Sequence, residues 1–188
     1  MIYLINTTKR MFADALIELL KTMPIQKITV KGIADYCDTR RPTFYYHFKD
    51  KYDLVTWIYR SQADAIANNM CMSSWKEIAC SILEYVEKNK KFYANAFNDD
   101  GQNSLTGYLF DYDVELLSRI LKERSLIDPN DDEVMFAIRY HSFACVSMTK
   151  EWILKRDHET PKEYSEKMYQ TMPELLRTLL PSENKIIV

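Results

Sequence analysis

Residues 28–59 read ITVKGIADYCDTRRPTFYYHFKDKYDLVTWIY, and the order of residue types in this stretch decides the fold. Thr29 suits the N-cap of a short helix whose inward residues Val30, Ile33 and Ala34 fall at i, i+3 and i+4, with Cys37 closing the stripe. Asp38, Thr39, Arg40, Arg41 and Pro42 follow, side chains that favour turns and caps, and Pro42 is tolerated only in a first helical turn. A second helix is therefore expected to begin near residues 40–42. Its Phe44 and Phe48, four apart, share the face that can anchor it, while Thr43, Tyr45, Tyr46 and His47 offer hydrogen-bonding groups to the other side. A short helix, a polar break and a basic, aromatic helix at this spacing form a helix-turn-helix with an outward reading surface.

Working outward, charge is distributed as such a surface requires. The chain of 188 residues has a formal net charge of -2, but residues 1–52 hold nine Lys or Arg against five Asp or Glu, whereas the remainder holds 16 against 22. Positive charge thus gathers around the helix-turn-helix, and the acidic remainder resists wrapping onto phosphates. Three glycines, six prolines and 47% hydrophobic residues, with no alternating β-type runs, predict long helices joined by short connections, an all-α fold. The length suits a head at 1–52, a connecting helix over 51–69, and a larger helical body at 70–188, expected to be the regulatory domain that such a head needs as its input.

Before the head motif, a helix over 8–23 carries Phe12, Ala15, Leu16, Leu19, Leu20 and Met23 on one stripe and ends at Pro24. After it, Asp50 can cap the connecting helix, with Leu54, Val55 and Ile58 inward. The body is expected to start at the capping pair Ser73 and Ser74 with a helix over 75–97, stopped by residues 98–101 (Asn-Asp-Asp-Gly). Helices over 104–123, 131–156 and 161–180 complete the reading, with a break at 127–130. Cys37, Cys71, Cys80 and Cys145 show no paired spacing, and the histidines at 47, 141 and 158 offer no metal pattern. Reduced thiols, no metal and no cofactor are expected. The apolar start is too short for a signal peptide, and no run approaches the roughly 20 apolar residues of a membrane span. A cytoplasmic protein with no membrane partner is the expectation.

The candidate DNA-binding set is Thr29, Lys31, Thr39, Arg40, Arg41, Pro42, Thr43, Tyr45, Tyr46, His47, Lys49 and Lys51. Arg40 and Arg41 stand at the front of the reading helix, where a guanidinium can reach both acceptors on the major-groove edge of guanine. Tyr45, Tyr46 and His47 suit phosphate or sugar, Lys9, Arg10, Lys31 and Lys49 suit phosphate, and Lys51 with helix-terminal N–H groups makes an expected anion site. In the body, Phe92, Tyr93, Asn95, Asn98, Gln102, Asn103, Tyr108, Tyr140 and His141 could line a small-molecule cavity, or be core. A small-molecule effector and a protein co-regulator both remain open as the input. Val134, Ile138, His141, Cys145, Met148 and Trp152 form one apolar line with Phe136, Tyr140 and Phe143 to its side, more width than one neighbour needs. Tyr164, Met168, Met172, Leu175 and Leu179 recur at three- and four-residue steps in the last helix. No glycine-rich phosphate loop and no H-E-x-x-H or G-x-S-x-G pattern is present, so an enzyme is not expected. A helical adaptor without DNA affinity is the alternative, and it would leave the basic reading helix without a purpose.

The run TVKGIADYC followed by TFYYHFKDKYDL resembles the N-terminal domain of TetR-type transcriptional regulators. The stretch FYANAFNDDGQNSL, residues 92–105, is similar to the C-terminal domain of a TetR subgroup that includes regulators of dihydroxyacetone kinase operons. The chain departs from the usual pattern at Arg40, where a small polar cap is common, and at Pro42, where a small residue is frequent. The resemblance implies a TetR-like fold, Tyr45 and Lys51 at positions that touch the DNA backbone, and a homodimer on a double-stranded, palindromic operator. It further implies that the last two helices form a four-helix bundle with their copies. That assigns Val134, Ile138, Cys145, Met148, Trp152, Tyr164, Met168, Met172, Leu175 and Leu179 to the dimer interface.

Overall fold

In the computed structural model the residues described are 2–69, 74–98, 105–124, 128, 131–156 and 159–180, with 2–6 and 124 described by backbone alone. Among them, every regular element is helical: α1 Ile2–Thr22, a 3-10 turn Ile25–Lys27, α2 Val30–Tyr36, α3 Arg41–His47, α4 Lys51–Asn69, α5 Trp75–Lys88, α6 Lys90–Phe97, α7 Leu105–Arg124, α8 Asp132–Leu154, α9 Pro161–Gln170 and α10 Glu174–Leu179. The described residues divide into two compact units. One holds the chain up to Ser61 together with Lys90–Tyr108, and the other holds Gln62–Asn89 and the residues from Leu109 onward. Residues 90–108, expected within the regulatory domain, thus cluster with the head, because compactness follows tertiary contact rather than chain order.

In the first unit, α1, α2 and α3 pack around an aromatic knot. Phe12 and Phe44 are fully buried and meet edge to face with centroids 5.2 Å apart, and Phe48 lies 5.6 Å from Phe44. Ile25, Ile33, Ala34, Leu54 and Val55 close this core, and α6 adds Tyr93, Ala96 and Phe97 against it. Burial of each large side chain here stabilises the head by about 1.5–3 kcal/mol. α1 begins earlier than expected, at Ile2, since the apolar opening residues extend the helix instead of preceding it.

In the second unit, α5 and α9 pack on each other and α10 packs on α8. Both α5 and α9 open with a complete capping box, Ser74 with Glu77 and Thr160 with Glu163, which satisfies orphan N–H groups at each start. Trp152 stacks on Tyr164 with centroids 5.3 Å apart and donates from Nε1 to the Glu159 carbonyl at 2.8 Å. Two expected helices are each divided. The one over 75–97 breaks at Asn89, whose Nδ2 donates to the Tyr85 carbonyl and so competes with the helical ladder. The one over 161–180 breaks before Pro173, which lacks the N–H that an interior turn needs. Cys71, Ser73, residues 99–104, 127, 129, 130, His158 and Pro181 lie outside the described residues.

Candidate nucleic-acid interface

The turn of the helix-turn-helix is built by the end of α2. Thr39 N–H donates to Ala34 O and Asp38 N–H to Asp35 O, while Asp38 takes φ 49°, so α2 closes in a Schellman motif with an aspartate in the left-handed position. Arg40 is already the N-cap of α3, with no side-chain capping bond, and Thr43 N–H donates to its carbonyl at 2.9 Å. Pro42 sits in the first turn of α3, where its missing N–H costs nothing. At the other end of α2, Thr29 Oγ1 accepts the Gly32 N–H at 3.0 Å, which makes Thr29 a cap.

α3 then divides cleanly by face. Phe44 is its buried residue, while Arg40, Arg41, Tyr45 and Tyr46 are exposed, Tyr46 by 78%. Arg41 Nη2 lies 3.4 Å from Tyr45 Oη, with its guanidinium 5.9 Å from the Tyr45 ring centroid, so one turn of helix holds the two outward groups together. His47 is half-buried, and burial, aided by the Lys9 charge, holds its imidazole below the usual histidine range. Lys9 reaches over the Phe48 and Trp57 rings, 5.4 and 5.8 Å from their centroids. Arg10, Lys31 and Lys49 are exposed around this face.

Lys51 has acceptors within the chain. Its Nζ donates to the carbonyls of Ile25 at 2.7 Å and Ile28 at 3.0 Å, with Gln26 O at 3.4 Å. An ammonium has three donors, and these three carbonyls accept from it, so Lys51 braces the 3-10 turn. Asp50 meets the expectation of a cap, accepting the N–H groups of Tyr52 and Asp53 at 2.8 and 2.9 Å.

The expected cavity lining draws on residues of both units. Tyr93, Asn95 and Tyr108 belong to the first unit, Tyr140 and His141 to the second, and Gln102 and Asn103 lie outside the described residues. Asn95 is committed to backbone: Oδ1 accepts the Ile25 N–H at 3.0 Å, and Nδ2 faces Met23 O at 3.3 Å and Leu20 O at 3.5 Å. Tyr108 Oη donates to Asp50 Oδ2 at 3.3 Å, and burial followed by the Asp50 charge pushes its phenol up to about 12. Tyr93 is core. On α8, Tyr140 is exposed and His141 buried, because successive helical residues point about 100° apart. His141 packs 5.0 Å from the Trp75 ring with Cys145 Sγ 3.3 Å from Nε2, and burial lowers its imidazole to about 4.

The expected dimer residues differ in exposure. Val134, Ile138, Cys145 and Trp152 are buried in the chain, as are Tyr164 and Met172, and only Met148 and Leu175 of the set are exposed. Met168 and Leu179 are half-buried. The free apolar face of α8 is the neighbouring stripe: Phe136 at 73%, Tyr140 and Phe143 at 63% each. Its four- and three-residue spacing was visible in the sequence, but periodicity alone does not say which of two apolar faces the core takes. Sequence reasoning also missed Gln26, whose Nε2 donates to Asn98 O at 3.0 Å, since no local pattern pairs residues so far apart.

Among the described residues no group of three or more His, Cys, Asp or Glu could hold a metal ion, and no helix is long and apolar enough to cross a membrane. A profile described as "Bacterial regulatory proteins, tetR family" matches residues 12–56, and one described as "Transcriptional regulator C-terminal region" matches residues 73–174. The chain is 28% identical over 163 residues to the "HTH-type dhaKLM operon transcriptional activator DhaS" of Lactococcus lactis subsp. lactis (strain IL1403), covering 85% of this chain and 86% of that protein. The solved structure titled "Dihydroxyacetone kinase operon activator DhaS" superposes with a TM-score of 0.61 at 22% identity, covering 94% of this chain and 98% of that one. A TetR transcriptional regulator from Streptococcus agalactiae 2603V does so with a TM-score of 0.60 at 19% identity, covering 95% and 96%. Two profile matches that span head and body, on a fold shared with solved regulators, establish the conclusion: this chain belongs to the TetR family of bacterial transcriptional regulators, proteins that control transcription rather than catalyse a reaction.

Proposed function

We propose that the chain is a sequence-specific regulator that binds a palindromic operator as a homodimer, with Arg40 and Arg41 reading bases in the major groove. The carrying observation is the two-faced α3: Phe44 buried beneath, and Arg40, Arg41, Tyr45 and Tyr46 exposed above. Thr43, Tyr45, Tyr46 and His47 contact phosphate and sugar, Arg10, Lys31 and Lys49 supply further phosphate contacts, and Thr29, Thr39 and Pro42 set the helices in register. Two copies joined through the free face of α8 present two such helices to half-sites about one duplex turn apart, or a multiple of it. The chain works in the cytoplasm and, by its likeness to the Lactococcus protein, activates a dihydroxyacetone kinase operon. A small molecule or a protein partner acting on the C-terminal region controls its DNA affinity.

Arg41→Ala tests the reading. A bidentate guanine contact predicts a loss of about 1–3 kcal/mol for the cognate duplex and relaxed selectivity at one base position. Cognate duplex is obtained by selection from a random-sequence pool and compared with genomic footprints. Unchanged affinity and unchanged selectivity would remove Arg41 from the reading surface, and footprints nowhere near dihydroxyacetone kinase genes would remove the proposed operon.

A further inference from the structure

We propose that Asn95, on α6, is a positioning residue for DNA recognition: it touches no base or phosphate, but its carboxamide fixes the joint from which the helix-turn-helix departs. The inference rests on α3 being the helix that reads the duplex. α1 ends at Thr22, and a helix end leaves its last carbonyls without intrahelical partners. The 3-10 turn that follows has Pro24 at its N-cap and no side-chain capping bond of its own. Asn95 serves both, with Nδ2 directed at Leu20 O and Met23 O and Oδ1 accepting from Ile25 N–H. One side chain some seventy residues away in the chain therefore meets three backbone groups on either side of the joint.

The other side of the same turn is held by Lys51, through the carbonyls of Ile25 and Ile28. Gln26 adds a third tie, from its Nε2 to the Asn98 carbonyl just past α6. Thr29, the cap of α2, begins one residue after the turn's own C-cap at Ile28. α2 and α3 are joined by the short hydrogen-bonded turn at Asp38, so a rotation at residues 23–28 is passed to α3 with little room for absorption. Apolar packing of Tyr93, Ala96 and Phe97 opposes separation of α6 from the head, but hydrophobic attraction has no preferred direction. Hydrogen bonds do, and a binding constellation needs its groups held to roughly 0.5 Å. The Asn95 amide supplies that orientation.

The test compares Asn95→Leu, close in volume but unable to hydrogen-bond, with the wild-type chain and with Gln26→Ala, an exposed side chain whose removal leaves the core intact. The probes are a duplex selected by the wild-type chain from a random-sequence pool and a scrambled duplex of equal length, titrated at several salt concentrations well below each variant's Tm. For Asn95→Leu the affinity ratio of selected to scrambled duplex should fall roughly tenfold, with the salt slope of the scrambled duplex unchanged because no phosphate contact is lost. Gln26→Ala should move the ratio the same way by less. An equal loss on both duplexes, or no loss, overturns the positioning role. If Asn95→Leu does not fold, Gln26→Ala carries the test, and an unchanged ratio there overturns it. A wild-type chain that recovers no duplex from the pool instead defeats the DNA-reading assignment itself, and the Asn95 role falls with it.

Discussion

Asp38 sits with φ 49° at the turn between α2 and α3, a conformation that an L-residue with a side chain adopts only at a cost, small for Asp or Asn and absent for Gly. Asp38→Gly should therefore stabilise the chain by at most about 1 kcal/mol, since the gain at the turn is offset by a more flexible unfolded state. It should also raise affinity for any duplex, because an exposed carboxylate two residues before the N-cap of α3 is removed. Chemical denaturation and a salt titration read the two effects, and a destabilised variant would show that the aspartate is favoured in place. Lys51 makes the opposite case. Its ammonium is held by backbone carbonyls in the folded chain, so Lys51→Met should cost roughly 2 kcal/mol of stability, the scale of hydrogen bonds to a charged donor. The salt slope of DNA binding should not change, and a slope reduced by about one phosphate would return Lys51 to the DNA. The turn residues at 38–42 and the anchors Phe44 and Phe48 were legible because caps, prolines and four-residue spacing are local signals. The acceptors of Lys51 and Asn95 were not, since the atoms that decide them lie more than twenty residues away.

Helical elements were legible wherever a stripe had both a start and a stop. α4 runs over Lys51–Asn69 behind the Asp50 cap, and α8 starts behind Asp131, whose carboxylate accepts the Glu133 and Val134 N–H groups. Asn89 and Pro173 were visible breakers set inside strong apolar periodicity, which outweighed them in the reading. α8 carries a further consequence through His141, buried against Trp75 with its imidazole lowered to about 4. Above the ordinary value of 6.5 both folded and unfolded states are neutral there, so the histidine imposes no pH dependence. As pH falls from 6.5 towards 4, the unfolded chain binds a proton that the folded chain refuses, and stability declines. Half-buried Asp113 works the other way: burial, partly opposed by the Ser142 hydroxyl, raises its carboxyl to about 6, so between roughly 6 and 3.8 the folded chain holds the extra proton and gains stability. His141→Gln removes the first effect and leaves the second. Between pH 7 and pH 5 the variant should gain about 2 kcal/mol relative to the wild-type chain in urea denaturation. Parallel stability curves for the two proteins would show that His141 is protonated equally in both states.

At the scale of the whole molecule, composition predicted an all-α fold and the division of charge a basic head, whereas the surface proposed to join two copies was not readable. Both faces of α8 are apolar, and the broader line of Val134, Ile138, Cys145 and Trp152 is the one the chain uses for itself. Phe136, Tyr140 and Phe143 are left outside, and a cluster of large apolar side chains at such exposure is costly in water unless covered. Covering each by its copy in a second chain contributes on the order of 1.5–3 kcal/mol, and a two-fold axis doubles every contact. The double variant Phe136→Asp with Tyr140→Glu places carboxylates on this face without opening either unit's core, so thermal stability at low concentration should change little. Light scattering should report a dimer for the wild-type chain and a monomer for the variant. Affinity for a palindromic duplex should fall at least roughly a hundredfold, because the second half-site no longer benefits from the first, while affinity for an isolated half-site stays the same. A variant that remains dimeric, with palindrome affinity intact, would place the interface elsewhere on the chain.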